Sequence, residues 1–212
     1  MKVTSLGLTL LAAVFALAAT TATRAQERGG RGSFEAKVEY CKTCHGLSGE
    51  GYRGYYPMPR LAGQQPKYLE NQLRAFIERR RVNPVMFNVA HVLTPGTLAA
   101  LTEHFRNLNP PPLGGAPREN VELGRTIYEQ GLPEANIAAC SACHGPEARG
   151  HEDIPRLAGQ LYPYTVKSLT FWGRERGQGA GKDDTSAIMV VTTHNLSSAQ
   201  ISALAAYLAY LK

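Results

Sequence analysis

Cys41-Lys42-Thr43-Cys44-His45 and Cys140-Ser141-Ala142-Cys143-His144 carry the same pattern, C-x-x-C-H, twice in one chain of 212 residues. The two copies use all four cysteines. Cysteines at i and i+3 lie on one face of a helical turn, so both sulfurs can be joined to one group. The histidine that follows is then placed to offer its imidazole to a metal at that group's centre. The pattern is the attachment sequence of a covalent c-type haem, and two copies predict two haems. Other chemistries also use paired cysteines. An even count in an exported chain is the usual sign of disulfides. An all-cysteine zinc site is a further option, but 95 residues separate the pairs and each has a His directly after it. Thioredoxin-like redox pairs would need a strand-rich segment leading into them, and neither copy has one.

Residues 1–25 read as a secretory signal peptide. Lys2 supplies the positive end, Leu6 to Ala19 is an uncharged apolar run, and Thr23-Arg24-Ala25 offers small residues for cleavage before Gln26. An uncleaved membrane anchor is the alternative, although 14 apolar residues are short for a span. The expected location is the bacterial periplasm, soluble or loosely attached to the membrane surface. The formal net charge is +6. A basic balance alone would suit nucleic acid, but export argues against that partner.

The chain is a tandem repeat. Cys41–Gly51 matches Cys140–Gly150, and Pro59-Arg60-Leu61-Ala62-Gly63-Gln64 recurs as Pro155-Arg156-Leu157-Ala158-Gly159-Gln160. Tyr68, Leu73 and Phe76 match Tyr164, Leu169 and Trp172, and Met86 matches Met189. The predicted organisation is residues 26–108, a Pro- and Gly-rich linker at 109–117, and residues 118–212. Only helices and loops are expected. Ser33 caps a helix running into Cys41, and Pro66 opens one whose face carries Leu69, Leu73, Phe76 and Ile77. Thr94 and Pro95 open another, with Leu98, Leu101, Phe105 and Leu108 on one side. Ser197 and Gln200 form a capping box before the stripe Ile201, Leu204, Ala205, Leu208 and Leu211. Stretches 51–57 and 177–181 read as loops. A repeat of this size makes a marginal core alone, which a buried haem would enlarge.

With C-x-x-C-H-G and the Pro-Arg-Leu-Ala-Gly-Gln segment each present twice, a following Tyr-containing helix, a late methionine and a terminal Leu/Ala/Tyr helix, the chain resembles the dihaem cytochrome c4 family. The resemblance covers about residues 33–212. It implies an all-α fold of two tandem class I cytochrome c domains, each a small helical bundle around one haem c. It implies covalent attachment through Cys41, Cys44, Cys140 and Cys143, and axial iron ligation by His45 with Met86 and by His144 with Met189. Met58 has no equivalent methionine, since Ile154 stands in its place, and reads as packing. His91 and His194 follow the candidate methionines at equal distance, so bis-histidine ligation is the rival. Similarity to class I cytochromes implies that the carbonyls of Pro59 and Pro155 accept the ring N–H of each ligand histidine. Arg60 and Arg156 either pair with haem propionates or are solvated surface charges.

Two irons with both axial positions filled leave no substrate site, so outer-sphere electron transfer is expected rather than catalysis. The resemblance implies a periplasmic shuttle between a quinol-oxidising complex and a terminal oxidase or reductase. The alternative is an electron-accepting subunit of a dehydrogenase, such as the dihaem subunit of a flavocytochrome c working with a flavoprotein. A dihaem peroxidase would need an open iron. Residues 26–112 hold 12 Lys plus Arg and 7 Asp plus Glu, giving +5, and residues 113–212 hold 9 and 10, giving −1. That asymmetry, with Arg79-Arg80-Arg81 as a contributor, predicts charge-steered docking.

Overall fold

The computed structural model describes residues 32–176 and 185–212. The expected signal segment and the loop expected at 177–181 lie outside the described residues. The chain falls into two units on either side of the Cys41–Lys42 bond. In the first, residues 32–41 form the helix α1, with Val38 buried. Ser33 lies inside this helix rather than at its cap. In the second, residues 42–45 are helical.

The second unit holds α2 (Pro66–Ile77), α3 (Pro84–Ala90), α4 (Pro95–Arg106), α5 (Val121–Gln130), α6 (Ser141–His144), α7 (Tyr162–Thr170), α8 (Trp172–Glu175), α9 (Ser186–Thr193) and α10 (Ser198–Tyr210). A single 3-10 turn spans Pro133–Ala135. Among the described residues there is no strand, only isolated bridges such as Tyr52 with Met58 and His151 with Ile154. Met58 and Ile154 thus hold the same backbone position in the two repeats.

Local chemistry explains where the helices start. Proline occupies the first turn of α2, α3, α4 and α7, where its missing N–H costs nothing. Thr94 accepts a hydrogen bond from the Thr97 N–H, and Ser197 and Gln200 form the reciprocal capping box. The expected faces are largely buried: Leu69 and Phe76 on α2, Leu98, Leu101 and Phe105 on α4. Ile77 is exposed instead, at the frayed end of α2.

In the first repeat, α2 packs on α3 and α4. In the second, α10 lies against α5 and α7. Its core joins Ile127, Tyr128, Ala148, Ala158, Leu204, Tyr207 and Leu208. The stripe expected on α10 is too narrow, because Ala203, Ala206 and Ala209 are buried as well. The alanines allow backbone to approach backbone. A Cβ on Gly124 of α5 would stand 2.0 Å from the carbonyl oxygen of Ala203. Gly124→Ala is expected to lower stability by about 1–3 kcal/mol through overpacking, read as a drop in the denaturation midpoint with an unchanged m-value.

Among the described residues, no single helix is long and apolar enough to cross a membrane.

Candidate haem sites and the seam between the repeats

Each C-x-x-C-H histidine sits in a frame that both repeats build with the same bonds. After His45, the chain turns so that Gly51 N–H donates to the His45 carbonyl at 2.7 Å; Gly150 does the same to His144 at 2.9 Å. Leu61 and Ala62 both donate to the Gly49 carbonyl, and Leu157 and Ala158 both donate to the Ala148 carbonyl. These bonds fold the Pro-Arg-Leu-Ala segment back over the histidine. Its proline carbonyl then meets the ring: His45 Nδ1 lies 2.8 Å from the Pro59 oxygen, and His144 Nδ1 lies 3.0 Å from the Pro155 oxygen. The proline contacts expected from the resemblance are present in both repeats.

The two imidazoles are 8% and 5% exposed. Burial pushes both below the usual imidazole range, against the upward pull of the proline carbonyls. They are therefore neutral, the form an iron ligand must have. A proton on Nδ1 serves the carbonyl and leaves Nε2 as the lone-pair nitrogen. Nε2 of neither ring has a hydrogen-bond partner among the described residues.

None of the four cysteines is in a disulfide, which overturns the disulfide alternative. Cys44 and Cys143 are exposed, and Cys41 and Cys140 are half-buried. Burial pushes the Cys140 thiol up to about 11. Among the described residues no cluster of three or more His, Cys, Asp or Glu able to hold a metal ion occurs. The donor set is instead a thiol pair followed by a buried neutral imidazole, twice. It suits covalent haem attachment with imidazole on the iron.

Met86 lies on α3 and Met189 on α9, both half-buried. Neither helix was expected from the sequence, although the Asn83 side chain, which caps α3 by accepting from the Met86 N–H at 3.0 Å, was a readable signal. The rivals His91 and His194 are exposed at the C-terminal ends of these helices. Each ring Nδ1 faces a carbonyl of its own helix, Phe87 and Val191 respectively.

Sequence reasoning missed what the repeated Gln does. Gln64 of the first repeat grips the backbone of Arg156 in the second: its Oε1 accepts from the Arg156 N–H at 2.7 Å, and its Nε2 donates to the Arg156 carbonyl at 3.0 Å. Gln160 returns the same grip on Arg60, at 2.9 and 3.2 Å. The result is a pseudo-twofold pair of amide clasps, buried on both sides. Its signal was present as the one polar side chain ending both copies of Pro-Arg-Leu-Ala-Gly-Gln.

The clasp also corrects the arginines. Arg60 and Arg156 are 3% and 7% exposed, so neither is a solvated surface charge. Each folds its Nε onto the carbonyl two residues on, Ala62 or Ala158, at 3.0 Å. Arg60 also donates to the carbonyl of Pro110 at 2.8 Å. Burial, with the charge of Arg156, brings its guanidinium down to about 10. Arg79-Arg80-Arg81 is likewise no exposed positive run. Arg79 lies over the Phe87 ring at 4.5 Å, Arg80 pairs with Glu78 at 2.6 Å, and Arg81 turns inward to Tyr164.

The sequence pattern of the family described as Cytochrome c matches residues 30–108 and 121–212. The chain belongs to the cytochrome c family. It is 34% identical over 179 residues to cytochrome c4 of Thiocapsa roseopersicina, covering 82% of this chain and 88% of that protein. It is 35% identical over 179 residues to the thiosulfate dehydrogenase electron acceptor of Thiomonas intermedia, covering 80% and 77%. The solved structure of Acidithiobacillus ferrooxidans cytochrome c4 superposes with a TM-score of 0.69 at 33% identity, covering 81% of this chain and 98% of that one. The chain is thus an all-α protein of two tandem cytochrome c domains with two covalently bound haem c groups. It is an electron carrier of the cytochrome c4 type.

Removing one clasp leaves a buried N–H and C=O of the opposite arginine unpaired. Gln64→Ala and Gln160→Ala are each expected to cost about 1–3 kcal/mol per unsatisfied group. Calorimetric unfolding of the holoprotein checks this, and the clasp account further expects the two repeats to melt less cooperatively.

Proposed function

We propose that His45 with Met86 and His144 with Met189 are the axial ligand pairs, and that Cys41, Cys44, Cys140 and Cys143 carry the thioethers. The observation that carries this is the duplicated frame: a buried neutral imidazole pinned through Nδ1 to a proline carbonyl, in a repeat whose half-buried methionine lies on the short helix before the last. The exposure of His91 and His194 favours methionine over the bis-histidine rival. Haem c supplies a one-electron iron couple, whose potential a methionine ligand raises. The chain's own part is to fix the imidazole and keep it neutral. With both axial positions taken, electrons enter and leave by outer-sphere transfer.

The proposed sequence boundaries are a cleaved signal at 1–25, cytochrome domains at 26–108 and 118–212, and a linker at 109–117. The proposed location is the periplasm, with possible contact at the membrane surface. The electron path runs from a quinol-oxidising complex toward a terminal oxidase or reductase. A second reading has its own support in the relatives called thiosulfate dehydrogenase electron acceptors. There the chain would take electrons from a dehydrogenase. Co-purification from native membranes separates the two: an oxidase or quinol-oxidising complex supports the first, and a dehydrogenase the second.

Denaturation and acid-solvent extraction of the exported protein should leave two haem equivalents on the polypeptide. The oxidised protein should show the weak far-red sulfur-to-iron band. Met86→Ala and Met189→Ala should each remove part of that band, lower one potential and open one iron to small ligands. The same changes in His91→Ala, with Met86→Ala silent, would hand the first site to the bis-histidine rival.

A further inference from the structure

Arg81, Arg176, Tyr68 and Tyr164 meet where the turn after α2 approaches α7 and α8. Arg81 Nη2 donates to the Tyr164 hydroxyl oxygen at 2.9 Å, and Arg176 Nη2 donates to the same oxygen at 2.8 Å. Arg176 Nη1 donates to Tyr68 at 3.3 Å, and Arg81 Nη1 donates to Gln72 Oε1 at 2.7 Å. Each guanidinium also covers an aromatic ring of its own repeat, Arg81 over Phe76 at 4.5 Å and Arg176 over Trp172 at 4.4 Å. Arg176 is 4% exposed, and Arg81 and Tyr164 are half-buried.

Two cations withdrawn from water beside each other need an anion. The carboxylates on the surrounding elements are engaged elsewhere. Glu70 pairs with Arg74 at 2.6 Å, Glu78 with Arg80 at 2.6 Å and Glu175 with Lys167 at 2.9 Å. α7 carries no acidic residue. The acceptors left among the described residues are Gln72, Tyr68 and Tyr164. Of these, only Tyr164 receives a bond from both guanidiniums, and two charge-assisted donors on one phenol oxygen favour its ionised form.

We propose that Tyr164 is a proton-exchanging site: its phenolate is the counter-anion of Arg81 and Arg176, and its protonation is coupled to the electron on the first haem. The coupling rests on His45 being a ligand there. Burial alone would raise the Tyr164 phenol, but the charges and hydrogen bonds of Arg81 and Arg176 outweigh it and bring it down to about 7. Arg81 is pushed down by burial and by Arg176, while Arg176 is held up by the two phenols against burial. Both guanidiniums stay charged at neutral pH in either case. At His45 burial is the largest influence, the Pro59 carbonyl opposes it, and the charge of Arg81 adds a further downward push, so this cluster's field reaches the first site.

The step balances simply. As one electron arrives from the redox partner, the Tyr164 phenolate takes one proton from solvent, and it returns that proton when the electron leaves. The protonated cluster carries one more positive charge and so favours the reduced state. The potential of the first haem therefore falls as pH rises through the ionisation, and reduction moves that ionisation upward by linkage.

The test uses the dihaem protein labelled with 13Cζ-tyrosine, Tyr164→Phe identifying one resonance among those of the ten tyrosines. The Tyr164 signal should titrate near neutral pH in the oxidised protein and at higher pH in the reduced one. Arg176→Gln should shift the oxidised titration upward. One of the two potentials should decline across the same window in the native chain and be flat there in Tyr164→Phe. If that variant fails to fold, the resonance whose titration Arg176→Gln shifts identifies Tyr164, and the two titrations of the native chain decide. A Tyr164 signal that stays at its neutral-phenol position to about pH 9 overturns the proposal, and another anion such as a haem carboxylate then balances the arginines. Identical titrations in both redox states overturn the coupling. These signals report the phenol whatever the iron ligands are, whereas the far-red band reports the ligands whatever the phenol does.

Discussion

One hydrogen bond in each repeat sets the terms for the rest, the contact between the histidine Nδ1 and a proline carbonyl fourteen residues on in the first repeat and eleven in the second. A neutral histidine imidazole carries one N–H and one lone-pair nitrogen, and the hydrogen bond made by one of them decides which is which. The carbonyl chooses, so the proton stays on Nδ1 and Nε2 points elsewhere. For that carbonyl to be in place, the chain must turn sharply after the histidine and return across it. The doubled bonds to the Gly49 and Ala148 carbonyls hold that return. The first repeat turns through Gly49 at φ 69°, the second through Ala148 at φ 54°. A left-handed alanine costs roughly 1–2 kcal/mol relative to ordinary backbone. The second repeat bears that cost inside a larger core, where Ala148 is fully buried beside Ile127, Tyr128 and Leu204.

The return loop does a second job. Having carried the proline over the histidine, it delivers Gln64 or Gln160 to the other repeat's arginine backbone. The same six residues therefore fix the ligand and join the repeats. An apolar seam could slide by a fraction of a side chain, but two reciprocal amide clasps have one register in which all four bonds form. Buried polar groups that are fully satisfied specify one arrangement in this way. A change in either loop consequently reaches both the imidazole and the seam, which links haem-site geometry to the packing of its neighbour.

What the sequence discloses follows from how local each device is. The haem motifs and the caps at Thr94 and Ser197 are written within a few residues, and these were readable. The proline contacts were readable only through family resemblance, since nothing in Pro59 or Pro155 alone says which ring they meet. Gln64 and Gln160 were visible as repeated residues without a visible role, because their partners lie 92 and 100 positions away. Arg60 and Arg156 stayed open between two roles, and Arg81 was misjudged, for the same reason. An arginine in sequence reads as surface, and its burial is decided by acceptors that arrive from distant carbonyls and phenols. The helices α3 and α9 were missed because they are short and bury almost nothing, leaving no periodic stripe to detect.

That last weakness bears on how the sites work. α3 buries only Ala90 and α9 only Thr193, so neither methionine helix draws much stability from the protein interior. Segments with few buried apolar contacts open at low free-energy cost. The histidine side of each site is the opposite, with a buried ring, a fixed tautomer and a loop tied back twice. The two proposed ligands of each iron thus come from supports of unequal stiffness. The packing dictates where the imidazole stands, whereas few buried contacts hold the helix that carries each methionine. On the proposed ligation the thioether would be the ligand freer to shift, and the imidazole the fixed reference.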